Sequence, residues 1–545
     1  MVILGVTHPI SLNNAACVIV DGRLIAFAEE ERFTRLKQAP RAYPEKAIAF
    51  CLRYAGITPH DVDATAVGFD PPSPGDITTE KIAQYLGGTL PSAEMIILQL
   101  HAAHLSSELE IRRYGALFHY DHHRAHAASA FAPSGFDRAN VITLDGWGGR
   151  LSGLLGFQRA GEPLEVFHEI SPANSWGTLY RFVTQQLGFR GHSGEGKTMG
   201  LAPYGVPDDQ ILPDWCDETF GLPDAVRYQD YLLNVIPRRD PAEPLAARHK
   251  NLAATLQHYY ERSLLRIARY LFGRTSSRNF VLAGGVALNC TGNGRLAAED
   301  FVDGRFIQPA SHDGGTALGA AILAHEQLTG RPCPIEFDHA YWGPDYSADE
   351  IRGALQFAQA TYREVDPVEA AASAILENKV VGWFQGRAEV GPRALGARSI
   401  LANPTDGANV DRVNLHVKRR EPWRPLAPSV LEERFFDLFD MRVLSPYMLM
   451  AGQVNADWRE KVPAVVHVDG SARPQAVSRK TNPLYHQLLT TLNARAGIPA
   501  VLNTSFNLDD EPLVNSPEHA VASFFRSGLD VLVIGNFMVE KAPRT

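Results

Sequence analysis

The first thirty residues alternate between short apolar runs and a polar turn. Apolar residues fill positions 3–6, 16–20 and 24–28, and the dipeptide Asp21-Gly22 separates the last two runs. Short apolar runs bounded by turn residues predict strands, and Asp-Gly is typical of the type I′ turn in a two-residue hairpin. The pattern therefore predicts a strand, a second strand, a tight turn and a third strand.

A second copy of this pattern begins near residue 141. Apolar runs at 141–144, 151–158 and 164–170 again predict a strand, a loop and a hairpin. A further strand at 280–283 leads through Gly284-Gly285 into a helix, and such glycines either make a plain tight turn or let the backbone approach a nucleotide. Two strand-rich units, each followed by helical sequence, predict a duplicated α/β domain with the actin-like ATPase fold.

The duplicated pattern stops in the segment 331–346, RPCPIEFDHAYWGPDY, which is dense in proline, glycine and aromatic residues. Such a composition without periodicity is typical of a domain boundary. An amphipathic stretch at 367–377 and an apolar run at 380–384 follow it. We therefore predict an actin-like domain over residues 1–340 and a second α/β domain over residues 345–545.

Composition and charge narrow the class of protein. A chain of 545 residues is too long for one core, and contents of 45% hydrophobic and 21% charged residues are ordinary for a globular protein. The net charge of −9 disfavours a nucleic-acid partner, and no apolar run is long enough to span a bilayer. Five scattered cysteines are typical of a reducing compartment. We expect a cytoplasmic enzyme with no nucleic-acid or membrane partner.

Two histidines four residues apart carry the clearest chemistry. In the run DHHRAHAASAF, His122 and His126 lie on one face of a helix, and paired imidazoles are half of a metal site. Asp145, at the end of a predicted strand, is a natural third ligand, and Asp313, in a loop before a helix, is a fourth candidate. Imidazole and carboxylate ligands suit iron, manganese or zinc, so the sequence predicts a metal site without choosing the metal.

Positive charge concentrates in one stretch of the second domain. Between residues 385 and 424, eight Arg and Lys stand against four acids, although the chain is acidic overall. The cations are interleaved with glycine and proline, as expected of loops folded around a small polyanion, and guanidinium groups bind phosphate in bidentate fashion. The eight cations are Arg387, Arg393, Arg398, Arg412, Lys418, Arg419, Arg420 and Arg424.

Eight strings along the chain resemble one family, the O-carbamoyltransferases typified by the tobramycin, cephem and nodulation-factor enzymes. So many long strings in one order exclude coincidence. The strings are AEEERFTRLK (28–37), HHRAHAASAF (122–131), GEGKTMGLAPYG (194–205), AGGVALNC (283–290), EVGPRALGARSILANP (389–404), KRREPWRPLAPS (418–429), HVDGSARPQ (467–475) and LNTSFN (502–507).

The resemblance implies that the C-terminal domain is YrdC-like and makes carbamoyl adenylate from carbamoyl phosphate and ATP, which is used with Mg²⁺. By similarity, carbamoyl phosphate or the carbamate derived from it binds to Lys418, Arg424 and Arg473. The residues on the ATP side are Arg393, Ser505 and Asn507.

The resemblance also implies that the N-terminal domain is similar to the metal-containing actin-like (ASKHA, TsaD-like) domain of tRNA threonylcarbamoyl transferases. It receives the adenylate and passes the carbamoyl group to an acceptor hydroxyl, using a metal that is usually iron(II) in such relatives. Residues 194–197 are expected to form a loop, in which Lys197 either contacts the nucleotide or makes a structural ion pair. The expected nucleotide or adenylate residues are Gly194, Glu195, Gly196, Lys197, Gly284, Gly285, Val286 and Asn289.

One position departs from the family pattern. Many relatives carry His-Asp in the first hairpin where this chain has Leu12-Asn13, and neither a hydrocarbon nor an amide replaces a general base. Either the nearby His8 takes over or the metal site does more of the work, so transfer of a site role to Asn13 is doubtful. Lys37 matches a position lining the acceptor or adenylate pocket, or is an exposed surface lysine. The candidate catalytic residues are His8, Asn13, Lys37 and Arg473.

The acceptor is expected to be a hydroxyl-bearing small molecule of the antibiotic type, because that is the default for the family. The stretches Pro71–Leu105 and Pro207–Arg248, which have no recognisable motif, are expected to shape its pocket. A homodimer is plausible by similarity.

Two other functions compete with this interpretation. A tRNA-modifying enzyme shares both domain types, but it needs a basic face, and salt-sensitive binding of bulk tRNA would support it. A non-catalytic nucleotide-binding protein could keep the same fold, but the complete sets of candidate metal ligands and arginines disfavour it.

Overall fold

The computed structural model describes residues 1–9, 11–40, 42–69 and 114–541, which form two compact units. The first unit comprises Met1–Glu30 and Gln38–Phe337, and the second comprises Glu31–Lys37 and Asp338–Thr545. The sequence did not predict that residues 31–37 belong with the second unit. None of the helices in the described part combines the length and the apolar composition that a membrane span requires.

The first sheet of the first unit consists of β1 (Val2–Val6), β2 (Ala15–Val20), β3 (Arg23–Glu29), β4 (Ala64–Val67) and β5 (Ala116–His119). Strands β1, β2 and β3 pair antiparallel, whereas β4 and β5 add in parallel beside β1, giving the order β3-β2-β1-β4-β5. Asp21 and Gly22, between β2 and β3, both have positive φ, as a type I′ turn requires. The predicted hairpin is therefore confirmed.

The second sheet consists of β6 (Arg138–Gly148), β7 (Leu151–Arg159), β8 (Glu165–Ile170), β9 (Asn279–Ala283) and β10 (Gly304–Ile307). Its order, β8-β7-β6-β9-β10, repeats that of the first sheet, with three antiparallel strands followed by two parallel ones. Two copies of this topology confirm the duplicated α/β domain of the actin-like class.

Two local predictions in this unit are wrong. The strand predicted to end before Asp145 runs on to Gly148, but its pairing with β7 shifts between Leu144 and Gly148. Such an irregularity re-aims side chains, so Asp145 lies where the ladder is interrupted. The segment 194–197, predicted as a loop, is instead the first turn of a helix, Glu195–Leu201, with Gly194 as its N-cap residue.

The helices of the first unit cover the sheets, and two of them cross closely. A methyl group on Gly319 would lie 1.7 Å from the carbonyl oxygen of Ala125, so glycine permits the close approach of these two helices. The helices described in this unit are Glu45–Ala55, His122–Phe131, Trp176–Gln186, Glu195–Leu201, Ala225–Asn234, Ala247–Thr275, Cys290–Ala297 and Gly315–Thr329.

The second unit is built on a mixed sheet of eight strands, with a small sheet of three strands beside it. The strands of the large sheet are β11 (Tyr362–Glu364), β12 (Val381–Phe384), β13 (Arg398–Ala402), β14 (Ala427–Leu431), β18 (Gln475–Val477), β19 (Ala500–Ser505), β20 (Val531–Ile534) and β21 (Phe537–Glu540). Their order across the sheet is β11-β21-β20-β12-β13-β19-β14-β18. The small sheet consists of β15 (Phe439–Asp440), β16 (Gly452–Val454) and β17 (Ser471–Ala472).

Helices pack on both faces of the large sheet, because neighbouring residues of its strands point to opposite sides. Phe384 of β12 belongs to a core that includes Phe524, whereas Trp383 belongs to another that includes Leu489. The predicted α/β class is thus confirmed for the second unit. Its helices are Glu31–Thr34, Ala348–Phe357, Pro367–Leu376, Asn409–Asp411, Phe435–Leu438, Ala456–Arg459, Pro483–Ala496 and Pro517–Arg526, with a π-helix at Arg412–Val417.

Candidate functional site

The two histidines lie on the first turns of one helix, which Asp121 caps. The Asp121 carboxylate accepts a hydrogen bond from the Arg124 amide at 2.8 Å, which satisfies one of the free N–H groups of the helix start. His122 and His126 are four residues apart and both are buried. The predicted helix is confirmed, and both rings point to the same side of it.

The structure brings His122, His126, Asp145 and Asp313 together, and one ligand atom from each lies within 4.8 Å of all the others. The two imidazole Nε2 atoms are 3.1 Å apart, and His126 Nε2 is 3.2 Å from Asp145 Oδ2. His122 Nε2 is 3.8 Å from Asp313 Oδ1. Ligand atoms bound at about 2.1 Å to one metal ion lie roughly 3.0–4.2 Å apart, depending on the angle at the metal, so these three separations suit a common metal ion.

Neighbouring backbone groups orient three of these side chains. His122 Nδ1 lies 3.2 Å from the Gly68 carbonyl oxygen, which only accepts, so Nδ1 carries the proton and Nε2 presents its lone pair. Asp145 Oδ1 accepts from the Gly146 amide at 2.6 Å, and Asp313 Oδ2 accepts from the Leu12 amide at 3.2 Å. The buried Asp145 Oδ2 has no hydrogen-bond donor among the described residues. One face of each group is therefore left for a cation.

The charges of the four groups conflict unless a cation joins them. Burial and the nearby Asp145 carboxylate raise the pKa of Asp313 to about 7. Burial and the neighbouring His122 lower the pKa of His126 to about 4. Burial opposes it, but hydrogen bonding to Asp145 and the charge of Asp313 raise the pKa of His122. A divalent cation at this point would neutralise the two carboxylates and would bind both imidazoles through ring lone pairs. The donor set fits a metal ion.

Gly148 leaves room for His122. A methyl group on Gly148 would lie 1.9 Å from His122 Cδ2, although Gly148 is not itself a ligand. We expect Gly148→Ala to displace the imidazole and to weaken metal binding roughly 10- to 100-fold, as disruption of groups that orient metal ligands does. Titration of the metal-depleted protein with a divalent metal, followed by calorimetry, checks this.

The matched control for Gly148→Ala is Gly273→Ala, because a methyl group on Gly273 meets nothing within 4 Å. Gly273 lies in the Ala247–Thr275 helix, where alanine is favoured over glycine. The control should bind metal as the wild type does. Equal metal affinity of the two alanine variants would contradict the proposed constraint on His122.

The first hairpin reaches the metal ligands through its backbone. His8 is buried and its ring packs 5.1 Å from that of Phe69, whose centroid is 5.9 Å from the His122 ring. Asn13 has a positive φ of 58°, and its amide donates to the Gln38 carbonyl at 2.7 Å. The Leu12 amide, rather than a side chain of Leu12 or Asn13, contacts Asp313.

The Gly-Gly turn lies beside Asp145. A methyl group on Gly284, which has φ of 89°, would lie 2.2 Å from the Leu144 carbonyl oxygen, and one on Gly285 would lie 3.1 Å from Asp145 Oδ1. Gly284 therefore meets both a conformational and a steric requirement for glycine. Val286 follows in a short 3₁₀ helix, Gly285–Leu288. The two glycines thus keep a narrow space open next to the candidate metal ligands.

Asn289 has a structural role. Its Oδ1 accepts from the Gly292 amide at 2.9 Å and so caps the Cys290–Ala297 helix. Its Nδ2 donates to Gln257 Oε1 at 2.9 Å, and Gln257 Nε2 donates back to its Oδ1 at 3.0 Å. Both polar atoms of the amide are engaged within the protein, which the sequence did not indicate.

The predicted nucleotide residues at 194–197 form a helix start. Glu195 Oε1 accepts from the His192 amide at 2.6 Å, and the Lys197 amide donates to the Gly194 carbonyl at 2.8 Å. Lys197 Nζ lies 5.8 Å from the centre of the Phe189 ring. Gly196 has open space where a side chain would begin. The Glu195 carboxylate also accepts from the amides of Gly194 and Glu195, so these N–H groups of the helix start are engaged within the protein.

In the second unit, Lys418 joins the two residues predicted on the ATP side. Its buried Nζ donates to the Ser505 carbonyl at 2.6 Å, to Ser505 Oγ at 3.0 Å and to Asn507 Oδ1 at 2.7 Å. These three bonds use all the donors of an ammonium group. Lys418 therefore holds Ser505 and Asn507 in place, and its positive charge adds to that of the neighbouring arginines.

Further cations lie close to Lys418. Burial lowers the pKa of Lys418 well below its usual range, and Arg420, Arg424 and Lys37 lower it further. Burial and the charges of Arg424 and Arg473 lower the pKa of Arg420 in the same way, although Glu421 opposes them. The Nε–H of Arg473 is buried and has no acceptor among the described residues. We call Lys418, Arg420, Arg424 and Arg473 the cation cluster; its mutual repulsion is relieved by a bound anion.

The predicted Arg393 and Lys37 lie near this cluster. Arg393 lies in the loop after β12. The carbonyl of the next residue, Ala394, accepts a hydrogen bond from Asn503 Nδ2 at 3.1 Å. Asn503 is two residues before Ser505 in the chain. Lys37 is exposed as a residue, but partial burial of its ammonium group lowers its pKa. The charge of Asp510 raises this pKa and that of Arg424 lowers it. Lys37 therefore lies with the second unit and not in the actin-like unit, where an acceptor pocket was expected.

Several of the eight predicted cations are structural. Arg398 is fully buried and donates to the carbonyls of Gln385, Gly386 and Pro344. Arg387 donates to the carbonyls of Trp342 and Gly343, and Arg412 pairs with Asp530 at 2.6 Å. Arg419 donates to the Arg526 carbonyl at 3.2 Å. No separate role was predicted for Arg420 from the sequence, although its position directly after Lys418 and Arg419 was a signal.

Two stretches were expected to shape the acceptor pocket, and the second of them lies within the described residues. Pro71–Leu105 lies outside the described residues. In the other, the Ala225–Asn234 helix packs through Tyr228 and Tyr231 on Trp215, with ring centroids 5.2 and 5.3 Å apart. The guanidinium of Arg227 covers the Trp215 ring at 3.9 Å. These aromatic contacts stabilise a local subdomain.

Comparison with known proteins identifies the family. Residues 2–322 match the model of the carbamoyltransferase N-terminus, and residues 372–541 match that of the carbamoyltransferase C-terminus. The chain belongs to the carbamoyltransferase family. It is therefore a transferase, as the strings of the sequence predicted.

The relatives of this carbamoyltransferase match over most of its length. Nodulation protein NolNO of Sinorhizobium fredii (strain NBRC 101917 / NGR234) is 38% identical over 547 residues, covering 97% of this chain and 79% of the relative. Uncharacterized protein sll1178 of Synechocystis sp. (strain ATCC 27184 / PCC 6803 / Kazusa) is 35% identical, covering 97% and 95%. The crystal structure of full-length HypF in the phosphate- and nucleotide-bound form has 12% identity and a TM-score of 0.39, covering 60% and 56%. That likeness is too weak to add to the fold assignment, which depends on the strand order.

Proposed function

We propose that this carbamoyltransferase is ATP-dependent, makes carbamoyl adenylate from carbamoyl phosphate, and transfers the carbamoyl group to a hydroxyl of a small natural product of the antibiotic type. The observation that carries the proposal is the presence of two sites of opposite character in one chain. One is a buried set of two imidazoles and two carboxylates, and the other is a buried cation cluster. The first suits a metal cation and the second suits phosphate groups.

The activation step needs phosphate-binding groups and little covalent chemistry from the protein. Water converts carbamoyl phosphate into carbamate and phosphate; a carbamate oxygen then attacks the α-phosphorus of ATP, and Mg²⁺-bound pyrophosphate leaves. Arg473 and Arg424 bind the anionic carbamoyl donor, and Arg393, Ser505 and Asn507 contact ATP. Positioned cations stabilise the charge that develops on phosphate oxygens. Lys418 contributes by holding Ser505 and Asn507 in place and by the electrostatic attraction of its positive charge for phosphate.

In the first unit, the oxygen of the acceptor hydroxyl attacks the carbamoyl carbon of the adenylate, the bond from that carbon to the phosphate oxygen breaks, and AMP leaves. A metal ion, which we propose to be iron(II), would be held by His122, His126, Asp145 and Asp313 and would supply Lewis-acid stabilisation of negative charge on phosphate. The nucleotide is expected to approach the backbone of the Gly284-Gly285 turn, where side chains beyond hydrogen are excluded, with residues 194–197 as further candidate contacts. Because Leu12 and Asn13 carry no base, we propose that His8 accepts the proton of the acceptor hydroxyl.

The proposal is tested by incubating the purified protein with ATP, carbamoyl phosphate and a panel of hydroxyl-bearing natural products. We expect a product heavier by one carbamoyl group, together with equal amounts of phosphate and pyrophosphate. Mass spectrometry identifies the acceptor, and enzymatic assays quantify the two anions. Carbamoyl transfer that proceeds equally well without ATP would refute the adenylate route, while a match between transfer and pyrophosphate release supports it.

A further inference from the structure

Residues 31–37 pack into the second unit, although they precede most of the first unit in the chain. They form a short helix, Glu31–Thr34, followed by Arg35, whose amide donates to the Glu31 carbonyl at 3.0 Å. Arg35 has a positive φ of 61°, which is unusual for a residue with a Cβ and turns the chain sharply. We call this piece the 31–37 segment.

Arg32 of this segment holds the loop that carries Arg393. Its side chain is buried; Nη1 donates to Glu31 Oε1 at 2.6 Å and Nη2 donates to the Gly391 carbonyl at 2.7 Å. Gly391 lies two residues before Arg393. Glu389 stabilises the other side of this loop, because its Oε1 accepts hydrogen bonds from the amides of residues 395, 397 and 398 at 2.8, 2.7 and 3.2 Å. The backbone on both sides of Arg393 is thereby fixed.

Arg35 holds a second loop, which supports Asn507. Its Nη1 donates to the Leu513 carbonyl at 2.5 Å and its Nη2 donates to the Pro512 carbonyl at 2.8 Å. The preceding residue, Glu511, accepts a hydrogen bond from Asn507 Nδ2 through its carbonyl at 2.6 Å. Asn507 in turn accepts from Lys418 and from Ser505 Oγ at 2.7 and 2.6 Å. A continuous set of bonds thus runs from Arg35 to the cation cluster.

We propose that Arg32 and Arg35 are positioning residues of the carbamoyl-activating site, and that the 31–37 segment contributes to the site through these two side chains. The inference rests on the proposed function and deepens it. Arg32 fixes the loop of Arg393, and Arg35 fixes the loop that supports Asn507. A planar guanidinium binds two carbonyl oxygens at once, whereas an ammonium group has no such fork, so lysine replaces neither arginine fully. Neither arginine touches the substrates.

The test measures carbamoyl-phosphate-dependent pyrophosphate formation by the full-length Arg35→Ala variant. Displaced groups at a reacting centre lower the rate more than they lower binding, so we expect kcat to fall about tenfold or more while KM for carbamoyl phosphate changes less than about threefold. Arg35→Lys should recover only a small part of the loss. Arg32→Ala should likewise lower kcat about tenfold or more, while KM for ATP changes less than about threefold.

Two control variants isolate the effect of Arg35. Leu36→Ala changes an exposed residue, 63% accessible, in the same segment, and Arg479→Ala removes an exposed arginine from the same unit. Both should form pyrophosphate within about twofold of the wild-type rate, because exposed side chains away from such contacts have small effects. Thermal unfolding of each variant reports whether the fold is kept.

Hydrogen exchange of the wild-type protein gives a second, mutation-free readout. ATP with carbamoyl phosphate should slow exchange in residues 31–37 as well as in 511–514, because the two are joined by hydrogen bonds. Unchanged exchange at 31–37, or Arg35→Ala activity within twofold of wild type, overturns the inference. A wild-type protein that releases no pyrophosphate defeats the proposed function instead, so the two failures are distinguishable.

Discussion

Replacing His126 by alanine should abolish carbamoyl transfer while pyrophosphate formation from ATP and carbamoyl phosphate continues at close to the wild-type rate. His126 Nε2 is 3.2 Å from Asp145 Oδ2 and 3.1 Å from His122 Nε2, so its loss removes one of four candidate ligands. The ring lies in the first unit, whereas the cation cluster lies in the second. We expect transfer to fall on the order of a hundredfold or more, a size typical of losing a major electrostatic contribution.

Three measurements on one preparation check this prediction: metal content, pyrophosphate release without acceptor, and carbamoylated product with acceptor. The matched control is His258→Ala, which removes an exposed imidazole from the Ala247–Thr275 helix and should leave all three unchanged. Metal content should drop only in His126→Ala. If pyrophosphate release disappeared together with transfer, the separation of activation and transfer into two sites would be wrong.

The sequence predicted that the four candidate metal ligands lie together, because each signal was local. Spacing of four residues on a helix puts His122 and His126 on one face, and a carboxylate near a strand end lies at the edge where loops converge. The sequence did not predict the interrupted pairing of β6 at Asp145, because periodicity records only which residues are apolar. Nor did it predict Gly148 as a constraint, since the contact with His122 depends on the tertiary fold.

The cation-rich stretch shows where sequence reasoning stops. Arg398 and Arg424 look alike in sequence, yet Arg398 is fully buried against backbone carbonyls, whereas Arg424 lies 3.7 Å from Glu421 and near the charge of Arg473. Residue type and spacing do not reveal which acceptors a guanidinium meets. The same holds for Arg35, whose partners Pro512 and Leu513 are more than 470 residues away in the chain. Such long-range pairings follow only from the fold.

Arg473→Ala should show the opposite pattern to His126→Ala, with activation lost and the metal content kept. Arg473 acts on the charges of Arg420 and Arg424, and its buried Nε–H has no acceptor among the described residues. An arginine held against like charges is stabilised when an anion binds between them. We expect pyrophosphate formation to fall on the order of a hundredfold or more.

The unfolding temperature separates this role from a structural one. Removal of a cation that repels its neighbours relieves strain in the ligand-free protein, so Arg473→Ala should unfold at the wild-type temperature or above it while losing activity. Arg473→Lys keeps the charge without the planar fork and should retain only part of the rate. The control Arg479→Ala should match the wild type in both measurements. A large drop in unfolding temperature for Arg473→Ala, with activity lost only in proportion to unfolded protein, would show that Arg473 stabilises the fold and does not bind the carbamoyl donor.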